Sequence, residues 1–261
     1  MQNIAVIRLL EGRLAWYSPG ASEEPRWLDN DIAREHLRSA LAQRRLTVLF
    51  APPGEDVRLL EQTIAAEEKK HLARSLPFAL EEEVATDIEG LHFAFRPCGE
   101  LEVAVAICTL EQMRRWESLL AEFPGIGLWV ADPLLLPWQD GEWCILLEDE
   151  RALVRTGEHT GFAIERTLLE PALDAALDGR EAPSAVIIYG QDQQAETALV
   201  PAGLANAVQW RAGNFQAALL VAGQPDGALN LLQGGFAPRL PLAKWWRQGR
   251  AVAIAFAVAF G

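Results

Sequence analysis

The carboxylates are this chain's main candidates for chemistry. Glu148, Asp149 and Glu150 stand side by side, and Asp87 and Glu89 form a spaced pair that could exchange protons with a substrate. Both sets fall in polar turns, where carboxylates are ordinarily solvated. The histidines His36, His71, His92 and His159 lack metal-ligand spacing. The cysteines Cys98, Cys108 and Cys144 contain no Cys-x-x-Cys pair. No metal site is expected, and the thiols should be reduced. A phosphate-cradling Walker A loop needs lysine after glycine, whereas Lys69, Lys70 and Lys244 follow Glu68, Lys69 and Ala243. The Gly-x-Ser-x-Gly elbow of serine hydrolases is missing too. These exclusions favour a chain that binds and does not catalyse, with no cofactor.

Charge narrows the class of partner. The 23 basic and 36 acidic residues leave a net charge of −13, and residues 1–238 carry 19 basic against 36 acidic side chains, a balance of −17. Such a body repels nucleic acid, which is not an expected partner. The remaining cations gather in the tail, where Arg239, Lys244, Trp245, Trp246, Arg247 and Arg250 precede an uncharged apolar run from Ala251 to Phe260. Aromatic and basic residues before an apolar run mark the cytoplasmic entry of a spanning helix. Each cation near an anionic phospholipid surface contributes about 1 kcal/mol of attraction. The run falls short of the roughly 20 residues a spanning helix requires, so the chain is expected to be a fragment, with residues 1–250 cytoplasmic. No secretory leader is expected in Met1–Arg8. The acidic sets Glu81, Glu82, Glu83 and Glu148, Asp149, Glu150 are candidate contacts for a basic protein partner.

The elements that must position these groups read as follows. Residues 4–10 and 13–17 predict a β-hairpin around Glu11-Gly12, followed by a helix over 29–43 and a strand over 46–50. Leu60, Ile64 and Leu72 predict a helix from near Asp56 to Leu76, with Pro77 opening a new short helix that has Glu81–Glu83 near its positive N-terminal end. Leu91, Phe93 and Phe95 predict a strand, and 101–131 a strand, helix, strand unit capped at Thr109-x-x-Gln112. Residues 143–165 predict three short strands. A second capping box, Thr167-x-x-Glu170, predicts the start of a helix, 185–189 a buried strand and 214–222 a last helix. Trp116 and Trp129 fit core positions. The order suggests an α/β protein of two halves, each starting with an antiparallel hairpin.

Three stretches resemble the L protein of the bacterial type II (general) secretion system: Leu72–Glu83, Leu91–Phe95, and Leu229-Asn-Leu-Leu-Gln-Gly-Gly-Phe-Ala-Pro-Arg239 directly before the membrane entry. The resemblance implies two ribonuclease-H-like (actin-like) halves with a small inserted α+β segment, then the start of a transmembrane helix. The expected boundaries are 1–140 for the first half, with the insert at about 74–100, 141–236 for the second, 237–250 for the juxtamembrane segment and 251–261 for the truncated helix. It also implies a single-pass protein of the bacterial inner membrane, an adaptor that recruits the secretion ATPase (type II secretion protein E) and links it to type II secretion protein M and the pseudopilus components. A homodimer is a further expectation. The alternative within this fold is an actin-like ATPase or a scaffold like the type IV pilus assembly protein M. Nucleotide-binding members carry an Asp-x-Gly turn in each hairpin. Here those turns read Leu10-Glu11-Gly12-Arg13 and Leu147-Glu148-Asp149-Glu150, and only Tyr189-Gly190-Gln191 resembles an adenosine loop.

Overall fold

Residues 4–18, 25–43, 46–223, 225 and 227–238 are described by a computed structural model. Strands β1 (Ile4–Leu10) and β2 (Arg13–Tyr17) pair antiparallel through Glu11 and Gly12, both at positive φ (50° and 77°), the turn geometry that follows the natural twist of a hairpin. After β3 (Arg26–Trp27), the side chain of Asn30 accepts a hydrogen bond from Ala33 N at the start of α1 (Asp31–Gln43). Strand β4 (Thr47–Ala51) then joins β1 in parallel, giving the order β3-β2-β1-β4.

Beyond Pro52-Pro53 the expected helix from Asp56 is not formed. A 3-10 turn (Gly54–Asp56) leads into a strand, β5 (Arg58–Thr63). Leu60 and Ile64 are four residues apart, an even spacing that keeps them on one face of a strand as well as of a helix, so their periodicity could not discriminate. Helix α2 (Leu72–Ala79) carries Pro77 in its last turn instead of at the start of a new helix. Glu81–Glu83 consequently form a 3-10 turn past the C-terminal end of α2, not beside a positive helix start. Strands β6 (Leu91–Pro97) and β7 (Glu102–Thr109) complete an antiparallel sheet of order β5-β7-β6. One face, with Leu60, Val103, Val105 and Ile107, packs on Leu72 and Leu76 of α2. The other presents Ala94, Ala104 and Ala106, whose small side chains let the sheet lie close against the main core.

Helix α3 (Leu110–Leu119) starts on the expected cap, Thr109 Oγ1 accepting from Gln112 N at 3.1 Å, and buries Met113 and Trp116. The strand expected at 126–130 is reduced to a single parallel bridge between Phe50 and Trp129. The second half runs β8 (Glu142–Leu147), β9 (Arg151–Arg155), β10 (Gly161–Glu165), α4 (Leu169–Leu177), β11 (Ala185–Gly190), α5 (Gln193–Thr197), β12 (Val208–Ala212) and α6 (Phe215–Ala222), and its five strands form the other large sheet in the order β10-β9-β8-β11-β12. Strands β8, β11 and β12 run parallel. Thr167 does not cap α4, which follows a 3-10 turn at 166–168 and has no side-chain cap. Strands β3 and β12 and helix α5 were not anticipated. One continuous core passes through both large sheets, with Phe50, Trp116 and Trp129 in mutual edge-to-face contact.

Candidate functional site: a buried ion cluster and a C-terminal clasp

Strand β1 is apolar and buried except that it carries Arg8, which has no exposed surface. A guanidinium removed from water is tolerable only when its charge is paired, and here both Nη atoms find carboxylates while the buried Nε has no hydrogen-bond partner among the described residues. Arg8 Nη1 donates to Glu148 Oε1 at 2.6 Å, and Nη2 donates to Glu148 Oε2 at 2.9 Å and to Asp132 Oδ2 at 3.0 Å. Its plane lies 4.0 Å over the ring of Phe215 in α6. Arg151, at the start of β9, donates to Asp132 Oδ2 at 2.7 Å and lies 3.1 Å from Glu55. The other oxygen of Asp132 accepts the backbone N–H of Gly54 at 2.8 Å. Gly54 must be glycine: a Cβ there would fall 2.5 Å from Pro133.

This cluster ties the first hairpin sheet, the 54–56 turn, the 132–135 turn and the β8–β9 turn together. Burial alone would raise the Glu148 carboxyl, but the charge and hydrogen bonds of Arg8, with Arg151 behind it, hold it below its ordinary value. Glu55 moves the other way, because burial raises it and Arg151 offsets this only in part. Burial likewise pushes the Tyr17 hydroxyl up. In the second half, Glu196 is almost wholly buried and accepts from Gln191 N at 3.1 Å and Trp210 Nε1 at 2.8 Å. Its carboxylate fills the space that a Cβ on Gly190 would need, so the Tyr189-Gly190-Gln191 turn is closed by the protein's own side chain.

The segment Leu229–Phe236 forms a clasp. Asn230 Oδ1 accepts from Trp129 N at 2.9 Å and Leu232 N at 3.1 Å. Gln233 bonds both backbone groups of Phe95 on β6, at 3.2 and 3.0 Å, and the carbonyl of Leu231 lies 2.7 Å from His92 Nε2. Gln233 thereby takes the place of a neighbouring strand at the edge of β6.

Of the acidic candidates, Glu81, Glu82 and Glu83 are exposed, with Glu83 paired to Arg58. Asp149 and Glu150 are exposed at the β8–β9 turn, while Glu148 is committed to Arg8. Asp87 caps the 3-10 turn Ile88–Gly90 by accepting from Glu89 N. Arg239, Lys244, Trp245, Trp246, Arg247, Arg250 and the apolar run after them lie outside the described residues. Among the described residues no helix is long and apolar enough to cross a membrane, and no His, Cys, Asp or Glu group is arranged to hold a metal ion. Arg8 and Asp132 were missed as site residues. Their signal was a lone charge inside an apolar run, Ala-Val-Ile-Arg8-Leu-Leu and Val-Ala-Asp132-Pro-Leu-Leu.

Two apolar-cored α/β sheets with a small third sheet between them in sequence define a mixed α/β protein. Its fold is similar to the cytoplasmic domain of EpsL, an inner membrane component of the type II secretion system of Vibrio cholerae, with a TM-score of 0.64 at 21% identity over 89% of this chain and 99% of that one. The family Type II secretion system (T2SS), protein L matches residues 14–239, and the chain belongs to that family. Curated relatives named Type II secretion system protein L are 28% identical over 174 residues in Pectobacterium carotovorum subsp. carotovorum (64% of this chain, 40% of the relative) and 27% identical over 226 residues in Vibrio cholerae (85% and 54%). The chain thus spans about half or less of the length of these relatives.

Proposed function

We propose that this chain is the cytoplasmic part of a non-catalytic inner-membrane adaptor, which recruits and anchors the secretion ATPase and couples it to protein M and the pseudopilus. Its two large sheets are read as ribonuclease-H-like, actin-like halves. The observation that carries the non-catalytic reading is the Arg8 cluster. In such a fold a metal-bound triphosphate would lie between the two hairpins, and here a guanidinium fills that interval and consumes Asp132 and Glu148. Glu196 supports the same reading at Gly190. The basic aromatic tail, Arg239 to Arg250, is the proposed contact with anionic phospholipid, and Glu81–Glu83 with Asp149 and Glu150 the proposed steering surface for a basic face of the ATPase. Because the clasp at 229–236 immediately precedes the tail, it would relay displacement at the membrane to β6.

Calorimetric titration tests the reading in two arms. Magnesium-ATP should give neither heat nor turnover, whereas the purified secretion ATPase should bind saturably. Nucleotide turnover by the chain alone would overturn the proposal.

A further inference from the structure

A hollow of about 190 Å³ opens where the end of α6, the chain entering the clasp and the turns at 134–138 and 155–159 meet. Its apolar walls are Leu134, Leu135, Leu219 and Leu229, all buried. Its polar wall leaves several groups unmet. His159 is only 4% exposed, and its ring makes no hydrogen bond among the described residues; the carboxylate of Glu158 is 3.8 Å from Nε2. Arg155 lies in the same wall. Its Nε donates to Gly157 O, Nη1 to Leu134 O and Leu136 O, and Nη2 to Glu158 O, at 2.6 to 3.1 Å. Four of its five N–H groups thus meet neutral carbonyls, the second N–H of Nη2 stays free, and no carboxylate pairs with it among the described residues. Burial without a counter-ion pushes this guanidinium down to about 10. The indole N–H of Trp138, also in the wall, is buried with no partner.

A second cation stands behind the hollow. Arg96, half-buried and without an ion pair among the described residues, packs on Gly227, where an added Cβ would fall 2.5 Å from its Nη atoms. Burial lowers the His159 ring, Glu158 and Glu61 raise it, and Arg96 and Arg155 lower it, so both guanidinium groups act on this one ring. Among the described residues Glu158 is the one carboxylate lining the hollow, and it is 61% exposed at the rim, where water screens it. Two guanidinium groups without counter-ions flank one hollow in a chain of net charge −13. An anion entering there would supply the missing counter-charge. Size and lining define the rest of the ligand. An apolar cavity of about 150 Å³ admits benzene, so this one has room for a ring or a short branched chain bearing a single carboxylate.

We propose that this hollow is a binding site for a small carboxylate with an apolar body, its oxygens set toward His159 and the free N–H of Arg155 and its body against Leu219 and Leu229. Such a ligand would bear on the chain between α6 and the clasp, whether or not the protein is an adaptor. The probes that test the site are benzoate and its uncharged counterpart benzamide, each held at a known free concentration by dialysis and titrated into the isotope-labelled 261-residue chain in detergent micelles. Benzoate should give saturable shifts of the Gly157, His159 and Ala228 amide resonances. Benzamide should bind at least about tenfold more weakly, because the charge-assisted bonds are lost. Ala222→Leu, which fills the hollow from the end of α6, should abolish the benzoate shifts. Equal affinity for the two probes, no saturable shift at those three amides, or unchanged benzoate binding in folded Ala222→Leu overturns the site. If Ala222→Leu does not fold, the two probes on the wild type decide alone, through which amides shift and the ratio of the two affinities.

Discussion

Arg8 and Glu148 are 140 positions apart in the chain and meet through two hydrogen bonds of 2.6 and 2.9 Å. The pairing fastens the first strand of one large sheet to the first turn of the other. Its geometry is the fork-on-carboxylate arrangement that arginine makes and lysine cannot. With Asp132 and Arg151 it forms an alternating set of charges in which both carboxylates face both guanidinium groups, and Arg8 and Asp132 are the buried pair at its centre.

Arg8→Met should therefore destabilise the protein by about 3–5 kcal/mol, because Asp132 and Glu148 lose their shared counter-charge while Asp132 stays buried. Arg8→Lys should recover only part of this, since one ammonium cannot serve both oxygens of Glu148. Urea denaturation of the two variants checks the order. Equal stability of Arg8→Met and the wild type would contradict the cluster's role as the tie between the sheets.

Acid should loosen the fold in two stages. Burial, partly offset by the bond to the Leu231 carbonyl, holds the His92 ring below its ordinary 6.5. The unfolded chain thus takes up its proton first, and stability falls as pH drops below about 6.5. Glu148, held below its ordinary 4.5, contributes stability that is lost as pH falls further, through its folded value. Glu55 works in the opposite sense: its raised value means that protonation favours the folded state. Burial holds the His159 ring below its ordinary value as well, so urea midpoints measured from pH 7 to 3 should show the first stage shrink in His92→Gln and the net decline steepen in Glu55→Gln.

The contrast between what the sequence disclosed and what it concealed has a physical basis. The first hairpin, the Thr109 cap, α6 and the β8–β9–β10 meander were legible because turn chemistry and two-residue alternation act locally. The segment 56–79 was misread because Leu60 and Ile64 satisfy both periods, and only pairing with β7, about 40 to 50 residues away, decides between them. The acidic turn 148–150 was recognisable as a cluster, but the commitment of Glu148 alone among the three depends on Arg8, a partner that no local pattern indicates. Asn230 and Gln233 stood out as a distinctive phrase, while their partners, Trp129 and Phe95, emerge only from the fold.

The thiols should react unequally. Cys98 is exposed, whereas burial pushes Cys108 and Cys144 up to about 12. Since the thiolate is the reactive form, an aromatic disulfide reagent at pH 8 should modify one thiol quickly and the other two only at the rate of unfolding. Cys98→Ser should eliminate the fast phase. Three fast thiols would mean that the sheets carrying Cys108 and Cys144 open readily.

The clasp makes the most local prediction. Gln233→Ala removes the partners of both Phe95 backbone groups and one bond to the Asn230 carbonyl, at a cost of roughly 1 kcal/mol for each bond that water does not replace. Asn230→Ala leaves the Trp129 and Leu232 amides unmet at comparable cost. Amide exchange separates the two. Gln233→Ala should accelerate exchange at Phe95 with little change at Trp129, and Asn230→Ala should do the reverse, because each side chain holds a different element. Acceleration of both amides in each variant would show that the segment releases as one cooperative unit, with Leu229 and Leu231, both buried, leaving the core together.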